Sequence, residues 1–305
     1  MSKLGLALGG GGARGIAHIG VLKVLDEENV KITSITGCSM GAIVGGLYAY
    51  FGNAKQVEDF ILHAIKDPKF ELLDMETLNK DTAKPDKNYF EHFINYIGER
   101  LLAIKALGRL SYFDEVVTGE IYKMVPDVSI ESLNIIFSAI ATDLISGEEL
   151  NITKGSLRTA LKASSAIPGI FPPVEFNKYL LVDGSASESV PVAKVKEIGA
   201  DRVLAVDVTR SLNVVSPSKN IIDILYRTED ITSYHLSLLR LQEADLILRP
   251  KVKELSWADF DKVTEIIKAG EIAARENLDK IKKLVHRNIY SLGIEHYIKK
   301  FKGNA

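Results

Sequence analysis

Leu4-Gly5-Leu6-Ala7-Leu8-Gly9-Gly10-Gly11-Gly12-Ala13-Arg14-Gly15 and, further along, Ile32-Thr33-Ser34-Ile35-Thr36-Gly37-Cys38-Ser39-Met40-Gly41 share one grammar. Each is a short apolar run that ends in small residues and opens into helical spacing. Residues 4–8 read as a buried strand, and 13–28 follow with Ile16, Ile19, Leu22 and Leu25 on one helix face. Residues 32–36 read as a second strand and 40–51 as a second helix. Two strand–turn–helix units in succession predict an α/β fold with parallel strands.

The rest of the chain extends that pattern. Residues 57–124 read as mostly helical, with Phe90, Phe93, Ile94, Ile97, Leu101 and Ile104 recurring as a core-facing stripe. Strands are expected at 134–141, 149–153, 180–182, 202–208 and 244–249, and long helices at 221–241 and 259–288. Pro168, Pro172 and Pro173 punctuate a loop rather than a domain boundary. The expected organisation is a core over 1–210 with a helical cap over about 68–110, and C-terminal helices and a last strand over 211–305 packed on the same domain.

Composition narrows the function classes. An apolar fraction of 46% and a charged fraction of 26% are those of an ordinary globular chain. A formal net charge of -2 offers no electrostatic footprint for nucleic acid. Cys38 is the single cysteine, which excludes an internal disulfide and a paired-cysteine metal site. No apolar run approaches the roughly 20 residues that span a bilayer, and the N-terminal apolar stretch is too short for a signal peptide. The expectation is a cytoplasmic protein that touches membranes transiently.

Three signals carry chemistry. Gly37-Cys38-Ser39-Met40-Gly41 matches G-x-S-x-G between a strand and a helix, the context of a nucleophile elbow. Small residues on either side let the chain turn sharply and lift the Ser39 hydroxyl above the sheet, at a helix N-terminus that favours negative charge. The glycine run at 9–12 places backbone N–H groups where they could receive a phosphate or a tetrahedral oxyanion. Gly10, Gly12 and Gly15 also satisfy the dinucleotide pattern G-x-G-x-x-G, but the second strand ends in Thr36-Gly37-Cys38-Ser39 with no acid to hold a ribose. The third signal is Asp183-Gly184-Ser185 after a short strand; taken alone, an acid before glycine is a common turn. The histidines, His18, His63, His92, His235, His286 and His296, all fall in helical text. His235 follows Asp183 in the chain order of a triad, yet sits within a helix, so a two-residue Ser39–Asp183 arrangement fits better. A carboxylate serves as base when it lies within hydrogen-bond reach of the hydroxyl.

Taken together, the glycine loop, the serine elbow and the Asp-Gly pair resemble the patatin-like phospholipases. The text around them agrees: residues 12–22, Ala141-Thr142-Asp143-Leu144, and Ala163-Ser164-Ser165-Ala166-Ile167-Pro168-Gly169-Ile170-Phe171-Pro172-Pro173 are similar to blocks of that family. The bacterial members related to neuropathy target esterase look closest. The resemblance implies a three-layer α/β/α sandwich around a mostly parallel sheet. It implies a Ser39–Asp183 dyad and an oxyanion loop at Gly10, Gly11 and Gly12, with no metal and no cofactor. Arg14 would support that loop or attract an anionic head group, and the substrates would be acyl esters of lipids. Two departures stand out: Ser185 where the family has Gly or Ala, and Glu188-Ser189 where it tends to have Asn. A non-catalytic adaptor that keeps the fold is the alternative, with nothing in the motifs to favour it.

Overall fold

The first strand, β1 (Leu4–Leu8), is buried along its whole length, because both of its faces are covered. In this computed structural model, which describes residues 2–71, 73, 111–209, 212, 221–252 and 254–286, it lies inside an eight-stranded sheet. The other strands are β2 (Ile32–Cys38), β3 (Ile136–Asp143), β4 (Glu149–Ile152), β5 (Val174–Phe176), β6 (Tyr179–Asp183), β7 (Arg202–Val206) and β8 (Leu246–Leu248). The order is β5-β6-β3-β2-β1-β7-β8, with β4 also paired to β3. Strands β3, β2, β1, β7 and β8 run parallel, while β4, β5 and β6 make the antiparallel pairings. The chain is thus an α/β protein with a central, mostly parallel sheet.

The period of two along a strand separates the layers. Leu4, Leu6 and Leu8 of β1, with Leu204 and Val206 of β7, pack into the larger core cluster. That side is built by α1 (Ala17–Glu27), α2 (Met40–Phe51) and α3 (Ala54–Lys66). Ala7, Val203 and Ala205 point the other way and meet Val192 and Val195 of a later helix. The apolar runs are continuous because neither face meets water. Each fully buried leucine contributes roughly 1.5–3 kcal/mol of transfer free energy.

Helices α4 (Glu115–Tyr122), α5 (Leu157–Ser164), α6 (Val192–Glu197), α7 (Ile221–Leu241), α8 (Val263–Glu276) and α9 (Leu278–His286) complete the described elements used below. α1 and α8 cross in close contact: a Cβ at Gly20 would come 1.9 Å from the Ile267 carbonyl oxygen, and one at Gly270 equally near that of Ala17.

Three expectations change. The helix read over 13–28 begins as a 3-10 turn at Gly12–Ile16, because Gly12 is left-handed (φ 56°) and the Ala13 N–H is taken by the Trp257 carbonyl at 2.7 Å. The helix read over 259–288 is two helices broken at Asn277. There the backbone N–H turns to Ala274 while the side-chain amide donates to the Ala273 carbonyl at 3.0 Å, ending the regular ladder. Strand β5 lies outside the strands the sequence predicts, since three residues beside a proline-rich loop carry too little period to read. The cap stripe from Phe90 to Ile104, with His92 and His296, lies outside the described residues.

Candidate active site

Strand register brings the two principal residues together. Cys38 on β2 stands opposite Ile140 on β3, and Ala141, the next residue, stands opposite Asp183 on β6. Ser39 and Asp183 therefore lie at one level, on either side of β3, with backbones about 10 Å apart at two strand spacings. The residue between them, Ala141, is small. The Ser39 hydroxyl faces the Asp183 carboxylate across the remaining gap and favours its charged form.

Ser39 occupies an unusual backbone conformation, φ 52° and ψ -125°, between β2 and α2. Such geometry costs an ordinary residue roughly 1–3 kcal/mol. It is held from several sides. The Ser39 N–H donates to Ser164 Oγ at 3.0 Å, and the Ser39 carbonyl accepts from Ala42 and Ile43 at 2.9 and 3.1 Å. Gly41 lets β1 pass beneath, since a Cβ there would sit 2.2 Å from the Leu8 carbonyl oxygen. Although Ser39 is the N-cap of α2, its side chain makes no capping bond.

The Asp183 carboxyl is buried and raised above its ordinary value. Burial is the largest cause. The Ser39 hydroxyl, the Ser185 backbone N–H (2.8 Å to Oδ1), the Ser185 side chain and the Cys38 thiol oppose it, each favouring the charged form. Ser185 thus supports the charged carboxylate through both backbone and hydroxyl.

The glycine loop follows β1 beside this pair. The peptide between Gly9 and Gly10 is pinned at both polar atoms. The Gly9 carbonyl faces His18 Nε2 at 2.8 Å, and the Gly10 N–H donates to the Ser189 carbonyl at 3.0 Å. This narrows the expected set of donors: the Gly10 N–H is already engaged, whereas no hydrogen bond ties those of Gly11 and Gly12 to other described residues. Gly12 and Ser39 line the same cavity. Gly15 lies against Met40, where a Cβ would approach the Met40 Cβ to 2.6 Å. Arg14 is buried, donating from Nε to the Val208 carbonyl and from Nη1 to the Leu255 carbonyl, both at 3.1 Å, so it ties the loop to two later segments.

That cavity has a volume of about 130 Å³. Its walls are largely apolar: Phe60 and Ile61 from α3, Phe70 and Leu73 from the start of the expected cap, Ile121 from α4, and Phe171, Trp257 and Phe260 from loops. Tyr122 adds a hydroxyl bonded to Ser165 and is pushed by burial to about 12. Gly12 and Ser39 belong to the motifs read from the sequence, Phe70 and Leu73 fall in the expected cap, and Phe171 falls in a block similar to the family's; the sequence does not mark those from α3 and α4, nor Trp257 and Phe260. On α3 their spacing resembles any core stripe, and Trp257 arrives from the far end of the chain.

His18 is completely buried and bonded to Gly9, packed as expected of a helix residue facing the sheet. His63 and His235 are exposed on α3 and α7, and His286 ends α9.

A serine elbow on a mostly parallel α/β sheet, with a buried aspartate beside it, defines the architecture. The chain belongs to the patatin-like phospholipase family, whose model matches residues 6–195. It is 35% identical over 211 residues to an NTE-family protein of Mycobacterium bovis, covering 68% of this chain and 50% of that protein. It is 32% identical over 212 residues to lysophospholipase NTE1 of Cryptococcus neoformans, covering 68% of this chain and 11% of the fungal protein. The chain thus spans half the length of the mycobacterial relative and a small part of the fungal one. Among solved structures it resembles VipD from Legionella pneumophila in fold, with a TM-score of 0.52, 14% identity, and coverage of 92% of this chain and 67% of that one.

Proposed function

We propose that this protein is a serine hydrolase of lipid acyl esters, working through a Ser39–Asp183 dyad. The observation that carries the reading is the Ser39 hydroxyl, held in a strained elbow against a buried carboxylate at the edge of an apolar cavity. An acyl chain fills the cavity and brings its ester carbonyl over Ser39. The Ser39 oxygen attacks the carbonyl carbon as its proton passes to Asp183. The N–H groups of Gly11 and Gly12 receive the tetrahedral oxyanion. The intermediate collapses by breaking the ester C–O bond, and Asp183 returns the proton to the departing alcohol. Water then attacks the acyl-enzyme and gives its proton to Asp183; the C–Oγ bond breaks, Asp183 passes the proton to Ser39 Oγ, and the fatty acid is freed. The family, and the fungal relative named a lysophospholipase, support a lipid ester as substrate.

The test is labelling with a fluorophosphonate followed by peptide mapping, alongside turnover of a soluble chromogenic ester. The label should fall on Ser39, and Ser39→Ala should lose both label and turnover while its circular dichroism stays that of wild type. A label on another serine, or turnover that survives Ser39→Ala, would overturn the assignment.

A further inference from the structure

Residues 183–189 form one turn with two tasks. Asp183 stands at its start, facing Ser39. At its end the Ser189 carbonyl clamps the Gly10 N–H. Between them Glu188 is 0% exposed, and its own N–H donates to the Gly184 carbonyl at 2.7 Å. Charged groups from other elements face its side chain: Glu149 at the start of β4, Lys194 on α6 and Arg240 on α7. Cys38 on β2 also lies within its field, and Asp183 heads its own turn. Arg240 Nε is 3.2 Å from Glu188 Oε2, yet among the described residues neither Glu188 oxygen has a well-directed hydrogen bond. The cations are shared: Lys194 Nζ and Arg240 Nη2 also stand 3.3 and 3.9 Å from Glu149.

We propose that Glu188 is a positioning residue for the hydrolysis described above: wedged between Glu149 and Arg240, it fixes the single turn that carries both Asp183 and the clamp on the glycine loop. The inference rests on that catalytic reading and adds a proton to it. A buried carboxylate with two unbonded oxygens is strongly disfavoured, whereas the neutral acid supplies an O–H that Glu149 can accept. Burial first, and the Glu149 charge second, push the Glu188 carboxyl up to about 8, against the pull of Arg240 and Lys194. At neutral pH the pair therefore carries one shared proton. The folded form holds that proton more tightly than an exposed glutamate would. The ordered turn is thus fully favoured at low pH and loses ground as pH rises through about 8. Above that point two carboxylates face each other and push the turn away from β4. The Cys38 thiol, raised well above its ordinary value by burial, does not titrate in this window.

The experiment measures kcat and KM on a soluble ester from about pH 5 to about pH 10 for wild type, Glu188→Gln and Glu188→Leu. Amide hydrogen exchange is followed at Gly10 over the same range, corrected for intrinsic rates. Wild-type kcat should fall above about pH 8 with KM unchanged, and Gly10 protection should fall with it. Glu188→Gln, uncharged at every pH, should keep the neutral-pH rate and lose the alkaline decline in both readouts. Glu188→Leu, with similar bulk but no donor, should lose roughly tenfold or more in kcat at all pH values. An alkaline decline in Glu188→Gln that matches wild type, or Gly10 protection indifferent to pH in wild type, overturns the proposal. Absence of any Ser39-dependent turnover would instead sink the hydrolase reading, and the Gly10 exchange would still decide whether Glu188 holds the loop.

Discussion

Gly12→Ala tests whether the glycine loop is held in its shape by backbone geometry. Gly12 has φ 56°, a left-handed conformation that costs an ordinary residue roughly 1–2 kcal/mol. A Cβ there would lie 2.4 Å from the Trp257 carbonyl oxygen and 3.0 Å from the Trp257 Cβ. The obstacle is backbone, so it cannot swing aside as a side-chain tip could. That carbonyl also accepts the Ala13 N–H at 2.7 Å. Pushing it away weakens a bond with a net contribution of about 1 kcal/mol. The sum is about 2–3 kcal/mol, or a melting temperature lower by roughly 3–5 °C for a chain of this size. Gly10→Ala is the control. Gly10 has no left-handed φ, and its Cβ would meet Ser39 Cβ at 3.2 Å and Cys38 Sγ at 3.4 Å. It should leave the melting temperature near wild type and cut kcat on a soluble ester by roughly tenfold, because it crowds the nucleophile. Calorimetry and steady-state kinetics on both variants give the contrast. A Gly12→Ala protein that melted and turned over like wild type would mean that the loop accepts a side chain at this position.

Asp183→Asn should nearly abolish turnover, because an amide of the same size cannot accept the Ser39 proton, while His235→Ala, on an exposed face of α7, should stay close to the wild-type rate; equal damage from the two in folded proteins would replace the dyad with a triad. Because burial raises the Asp183 carboxyl and the base must be ionised, kcat should fall on acidification at a pH above the ordinary carboxylate value, and Ser185→Gly, which removes a donor favouring the charged form, should move that limb upward in a pH–rate profile. Burial lowers His18 to about 4 from its ordinary 6.5, against the Gly9 carbonyl and Asp207, so the unfolded chain binds the extra proton between those values. Stability should therefore decline as pH drops through that window, by about 1.4 kcal/mol per pH unit, and His18→Gln should flatten melting temperature against pH on the acid side.

The local devices are legible in the amino-acid order, because each depends on neighbours within a few residues. Apolar runs closed by glycine mark β1 and β2, and the Gly37-to-Gly41 pattern marks the elbow, since the backbone there tolerates no bulk. Tertiary structure decided what no local pattern encodes. Asp183 comes to the level of Ser39 only because β6 pairs antiparallel with β3 at a register that sets Asp183 opposite Ala141. The Gly10 N–H is spent on Ser189, a residue far along the chain, so the donors left in the loop follow from long-range pairing rather than from the glycine count. Arg14 reads as a support for the loop or a cation for an anionic head group, and only the fold shows that it holds the loop by donating to the carbonyls of Val208 and Leu255. Glu188 reads as a departure from a motif, and becomes a buried carboxyl among Glu149, Lys194 and Arg240 only when β4, α6 and α7 converge on its turn. The reason is common to all four: side-chain spacing along a strand or helix is set by the local backbone, but the partner across a sheet or between layers is set by register and crossover, which depend on the whole core.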